Sequence, residues 1–144
     1  MAAEFQKKID KLIAKIMENS NIDYGNKVSV RKYNRNQDWI RKNFGKDSSL
    51  TNEELAMLKS LITHPHPAVK ADVCWVLICW YPLCFEFLRS CYQSLVGSLN
   101  CLSGDIKISY ELGINFWKKQ MIPLANKYSN DLELTPPVPT SSDN

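Results

Sequence analysis

The sequence predicts an all-α fold, a stack of about six to seven helices paired by short loops. Three observations point there. Apolar residues recur at helical spacing in one segment after another. No segment shows the period-two alternation of a half-buried strand. Asn, Gly and Pro break the pattern at short intervals, where helices stop and start. A length of 144 residues suits one domain with a real core.

The helices follow in order. Phe5, Ile9, Leu12, Ile13 and Ile16 lie on one stripe of a first amphipathic helix, with Lys7, Lys8, Lys11 and Lys15 off it. NSNIDYGN breaks it. VSVRKYNRNQDWIRKNFG reads as a second helix ending near Gly45, with Val30, Tyr33, Ile40 and Phe44 inward. Thr51, with Glu54 three residues on, makes a capping box for a third helix buried through Leu55, Leu58, Leu61 and Ile62.

THPHP then stops the chain, because a residue before proline is pushed out of helical geometry. Pro67 suits the first position of a fourth helix, where its missing N–H costs nothing. VCWVLICW is apolar all round, so that helix is expected to be buried on nearly every side, with Trp75 and Trp80 in the core. Pro82 is expected to start a fifth helix, with Phe85, Leu88, Tyr92 and Leu95 inward. Ser103 or Asp105 can cap a sixth, with Ile108, Leu112 and Phe116 as its stripe and Trp117 beside it. Pro123 is expected to kink this helix or to separate a short seventh, MIPLANKY. Residues 1–128 thus form one helical domain. Residues 129–144, SNDLELTPPVPTSSDN, read as a disordered proline-rich tail.

Composition narrows the function classes. The net charge is +3, but residues 1–48 carry eleven Lys/Arg against six Asp/Glu, and the remainder carries seven against nine. Five cysteines, an odd number without a CxxC pair, lie mostly in apolar runs, which indicates a reducing compartment without a disulfide framework. The start is charged and amphipathic, unlike a secretory signal. The apolar run from Val73 to Leu83 is too short to span a bilayer. A soluble, cytoplasmic protein is expected, with no membrane partner.

No catalytic pattern stands out. His64 and His66 lack the three or four convergent ligands of a zinc site, so no metal is assigned. They are expected to close the turn between helices, with His66 at the N-cap position. No nucleotide-binding glycine pattern or GxSxG is present. The cysteines sit where apolar surroundings raise a thiol's pKa. Glu53 and Glu54 are adjacent, yet one belongs to the capping box, and acid–base work needs groups converging on one substrate. The chain is therefore read as non-enzymatic and without a cofactor.

The segment LKSLITHPHPAVKADVCWVL is similar to a HEAT-type repeat: an apolar helix ends, a His-Pro turn follows, and the next helix opens with Pro-x-Val-Lys. More widely, the chain resembles a family of small bacterial helical proteins, a domain of unknown function with a HEAT-like fold. That family's V-x-x-Y/H-N-x-x-x-D segment is matched by Val30, Tyr33, Asn34 and Asp38. Its His-Pro turn and helix start are matched by His64, Pro65, Pro67, Val69, Lys70 and Ala71. Its Gly turn and Leu-x-x-x-x-Trp end are matched by Gly104, Leu112 and Trp117. The resemblance spans roughly residues 28–118 and departs from the pattern at Cys74 and Trp75, where the family places alanines. It implies a short α-solenoid. It also implies an immunity protein of the contact-dependent growth-inhibition type, which binds a cognate toxin domain, a nuclease among the candidates, and covers its active site. It supplies no residue-level site.

Candidate partner contacts come from the residues themselves. Trp39 lies among basic residues, and tryptophan is enriched at interface hot spots. Inhibitors of nucleases are commonly acidic, because a phosphate-holding surface is basic. This chain is weakly basic overall, which leaves two readings. Either Asp72, Glu86, Asp105 and Glu111 form a local acidic patch, or the toxin is acidic or is bound away from its phosphate groove. The alternative function is a nucleic-acid-binding helical protein using the basic helix 30–42, through Arg31, Lys32, Arg35, Arg41 and Lys42; nucleic acid is the less favoured partner.

Overall fold

The computed structural model describes residues 2–45 and 48–128, with backbone alone for residue 2 and residues 120–128. The tail expected over 129–144 lies outside the described residues. The described chain is all-α. Helix α1 spans Ala2–Asn19, α2 Lys27–Phe44, α3 Asn52–Ser60, α4 Pro67–Trp80, α5 Phe85–Leu99 and α6 Gly104–Tyr128, with a 3-10 turn at Leu61–Thr63 between α3 and α4.

Local chemistry places the boundaries. Asn26 caps α2, its side chain accepting the Val28 and Ser29 N–H groups. Gly45 is its C-cap. Thr51 and Glu54 form the expected capping box on α3, with bonds of 2.9 and 3.1 Å. His66 caps α4 through Nδ1, which accepts the Ala68 N–H at 3.1 Å. The His66 N–H in turn donates to His64 Nδ1 at 3.0 Å. Both histidines thus tie down the turn, and Pro67 holds the first helical position. Gly104 opens α6 at φ 72°, a left-handed conformation that a side chain would strain.

The core is built around α4. Eight of its fourteen residues are buried, so it is the central element rather than an edge helix. It packs on α5 along its length and also touches α1 and α3. Phe5, Ile9, Leu12 and Ile16 of α1 and Ile40 and Phe44 of α2 close one side, while Leu58, Tyr92 and Leu95 join the same core. Each fully buried apolar side chain of this kind contributes about 1.5–3 kcal/mol before chain entropy is set against it.

A polar clasp holds α1 to α2. The buried Asn36 amide donates to Glu18 Oε1 at 2.7 Å and Asn19 Oδ1 at 2.9 Å, and its own oxygen accepts from Lys15 at 3.2 Å. Asn19 donates to Gln37 at 3.1 Å, and Lys32 pairs with Glu18 at 2.8 Å. Lys32 first, then Asn36, holds the Glu18 carboxyl below the ordinary carboxylate range. Every hydrogen-bonding atom of the Asn36 side chain has a partner, so burial there carries little penalty and sets the register of the two helices.

Three expectations change. The helix after Pro82 begins at Phe85, not at the proline. Tyr81 before it is extended, its hydroxyl donates to Phe44 O at 2.5 Å, and this anchor draws the connection across the end of α2 before α5 can start. The end of α4 breaks the surface: Trp75 is half-buried and Trp80 is 39% exposed, so neither belongs to the innermost core. The last helix runs without interruption to Tyr128, so Pro123 separates no seventh helix.

Candidate functional site

The sixth helix is apolar on two opposite faces. Ile106, Tyr110, Ile114 and Trp117 are buried. Ile108, Leu112 and Phe116, the stripe expected to face inward, are instead 53%, 65% and 66% exposed. Both stripes have helical spacing, so periodicity alone does not choose between them. Tertiary contacts choose. Tyr110 donates its hydroxyl hydrogen to Asp72 Oδ1 of α4 at 2.6 Å. Trp117 stacks on Tyr92 of α5 with centroids 5.2 Å apart. Gly113 makes room for the Trp75 ring of α4 against α6: a Cβ there would lie 3.0 Å from that ring.

The outer stripe of α6 therefore has no covering element among the described residues. The five candidate contact residues distribute unevenly around it. Glu111 is exposed beside Leu112. Asp105 heads the same helix, half-buried, and its Oδ2 accepts the Tyr24 N–H at 2.8 Å, which ties the α1–α2 loop to the start of α6. Glu86 is exposed in the first turn of α5, on a different element. Asp72 is not part of an open acidic patch: it is 8% exposed within α4. Trp39 is half-buried, with its ring 5.9 Å from Phe44. Lys11 and Lys15 of α1 lie 5.2 and 5.4 Å from that ring, so two cations stack on the candidate contact residue from within the chain. No hydrogen bond or ion pair joins any of these five to another among the described residues.

The basic helix is partly neutralised. Lys32 pairs with Glu18, and Arg41 pairs with Asp38 at 2.7 Å. Arg31, Arg35 and Lys42 are exposed.

Asp72 has an unusual setting. Burial pushes its carboxyl up to about 6, while the Tyr110 bond pulls it down. Its Oδ2 is buried without a hydrogen-bond partner. Tyr110 is raised well above the ordinary phenol value, by burial first and then by the Asp72 charge. Tyr33 of α2 is pushed up to about 12, also chiefly by burial. Asp72 lines a cavity of about 240 Å³ between α2 and α4, with Gln37, Ile40, Arg41, Trp75, Val76 and Trp80. A second cavity, about 610 Å³, opens between the N-terminal ends of α1 and α3, beside Phe5, Met57, Glu4 and Glu53.

All five cysteines are free thiols. Cys74 and Cys91 are buried in the α4–α5 seam, and the neighbouring Cys91 thiol, then burial, raise the Cys74 thiol. No group of three or more His, Cys, Asp or Glu side chains is placed to hold a metal ion among the described residues. No helix of the described residues is long and apolar enough to cross a membrane. Reasoning from sequence missed Tyr110, Gly113 and Asn36; the first two carry a signal, since they share the Ile106–Ile114 side of α6. No family model, curated protein or solved structure matches this chain.

Proposed function

We propose that this chain is a non-catalytic helical binding module that neutralises a cognate toxin domain by covering its active site, in the manner of a HEAT-like immunity protein. The observation that supports the reading is the outer face of α6. Three large apolar side chains stand a turn apart on a packed helix, more than half exposed, with Glu111 alongside and Asp105 at the head. An exposed apolar row rimmed by polar groups is the signature of a protein-contact surface. The helix is held by the Tyr110, Trp117 and Gly113 contacts, so the face is preformed and little ordering entropy opposes binding. The exposed Glu111 carboxylate beside this row suits a partner that is apolar and basic, as a phosphate-binding toxin is.

The test is rescue of growth. A protein captured from the host by the tagged chain is expressed alone and with it. The reading expects toxicity alone, rescue by the wild-type chain, and loss of rescue by Phe116→Glu with an unchanged melting temperature. A captured protein that is harmless alone, or rescue indifferent to Phe116→Glu, would refute it. Recovery of mixed nucleic acid, lost at high salt, would instead favour Arg31, Arg35 and Lys42 of α2 as the working surface.

A further inference from the structure

We propose that the cavity between α2 and α4 is a binding site for an alkylammonium group, held by Asp72 between Trp75 and Trp80. This inference does not rest on the immunity reading.

The wall chemistry selects the ligand. Asp72 has one carboxylate oxygen engaged by Tyr110 and one buried without a partner, which must turn toward the cavity to meet a ligand. A buried carboxylate whose only bond comes from a neutral phenol is poorly compensated. It is matched by a positive charge carrying an N–H donor. The charged side chain that shares the cavity, Arg41, bonds Asp38 at 2.7 Å rather than Asp72. Gln37, on the same wall, is neutral. The terminal torsion of Asp72 is soft, so an arriving donor can draw the bare oxygen toward it within one rotamer well.

The rest of the lining refines the choice. Trp75 and Trp80 both line the cavity, indole is the best cation–π partner, and Trp80 is partly exposed. Ile40 and Val76 supply apolar contact for a methylene stem. A guanidinium prefers both oxygens of a carboxylate at once, and here one is already taken by Tyr110. A single-point ammonium on a short chain fits better. Its source is either a small free amine or a lysine side chain of a bound protein.

The full-length chain at pH 7.5 is titrated with n-butylammonium while the indole N–H signals of Trp75 and Trp80 are followed by NMR, assigned with Trp75→Phe and Trp80→Phe. Saturable shifts of both signals, with affinity on the order of millimolar or tighter, are expected for so small a ligand. 1-Butanol, isosteric and uncharged, is expected to bind at least tenfold more weakly. Asp72→Asn is expected to lower the butylammonium affinity at least tenfold while melting no lower than wild type. Equal binding of butanol, or butylammonium binding that survives Asp72→Asn, would overturn the proposal and leave an apolar cavity only. Absence of saturable shifts would overturn it outright. A blocked Ala-Lys-Ala peptide separates the sources: binding comparable to the free amine assigns the site to a lysine of a protein, and binding of the free amine alone assigns it to a small molecule.

Discussion

Tyr110 of α6 gives its hydroxyl hydrogen to Asp72 of α4 at 2.6 Å, and this bond joins the two features that set the molecule's surface. It selects the inward face of the last helix, which leaves Ile108, Leu112 and Phe116 outside. It also engages one oxygen of a buried carboxylate and leaves the other bare.

Asp72 makes stability depend on pH. Its folded-state value, about 6, lies above the ordinary 3.8, so the folded chain holds that proton more tightly than the unfolded chain. Stability from this group grows as pH falls from about 6 toward 3.8, and it is lost as pH rises through about 6. The difference corresponds to at most ~3 kcal/mol. Denaturant melts of wild type and Asp72→Asn between pH 7.5 and 4 are expected to converge toward acid, with wild type the less stable at pH 7.5. Parallel curves would show that the carboxylate is not held in this way. The charged and titratable groups around it are Arg41 and Tyr33 of α2, Tyr110 of α6 and Cys79 of α4.

Two glycines separate close packing from open helix surface. Gly97 lies inside α5, and a Cβ there meets nothing within 4 Å. Gly97→Ala is expected to stabilise by about 0.5–1 kcal/mol, the usual gain in a helix interior. Gly113→Ala meets the Trp75 ring at 3.0 Å, so the half-buried ring must shift by a few tenths of an ångström, and the variant is expected to lack the gain at Gly97. Urea midpoints read both. A gain at Gly113 would mean that α6 does not approach α4 so closely.

The turn at His64 and His66 is structural. Replacing both with alanine removes the α4 cap and the His64 brace and is expected to lower stability by about 1 kcal/mol, with partner binding intact. A melting temperature that depends on added zinc, and loses that dependence in the double variant, would contradict the assignment. Val69→Asp, one residue into the fully buried part of α4, is expected to cost several kcal/mol through an uncompensated charge and to abolish the cooperative melt.

Much of the architecture was legible because local chemistry decides it. Thr51 with Glu54, and His66 before Pro67, mark helix starts by hydrogen bonds between near neighbours. The stripe of Phe5, Ile9, Leu12 and Ile16 was equally readable, since the opposite face of α1 is charged. The last helix was not readable. Its two apolar stripes compete on equal spacing, and the choice rests on Tyr92, Asp72 and Trp75, which come from other helices. Asp72 sits at an edge of an apolar run, where sequence suggests a surface charge; the packing of α2 and α6 against α4 buries it. Trp39 stood among basic residues in sequence, but the lysines over its ring come from α1, not from its own helix. The Asn36 clasp likewise needs the pairing of two helices before its polar atoms find partners.

The orientation of α6 underlies both the proposed partner face and the proposed Asp72 site, and one pair of variants tests it directly. Leu112→Glu and Ile114→Glu place the same charge two residues apart, and their thermal melts are compared by circular dichroism. The structure predicts a wild-type melt for Leu112→Glu, which is 65% exposed, and a collapse for Ile114→Glu, which is 6% exposed. The reverse result, with Leu112→Glu unfolding the chain and Ile114→Glu tolerated, would turn the helix over and remove the surface on which the proposed function stands.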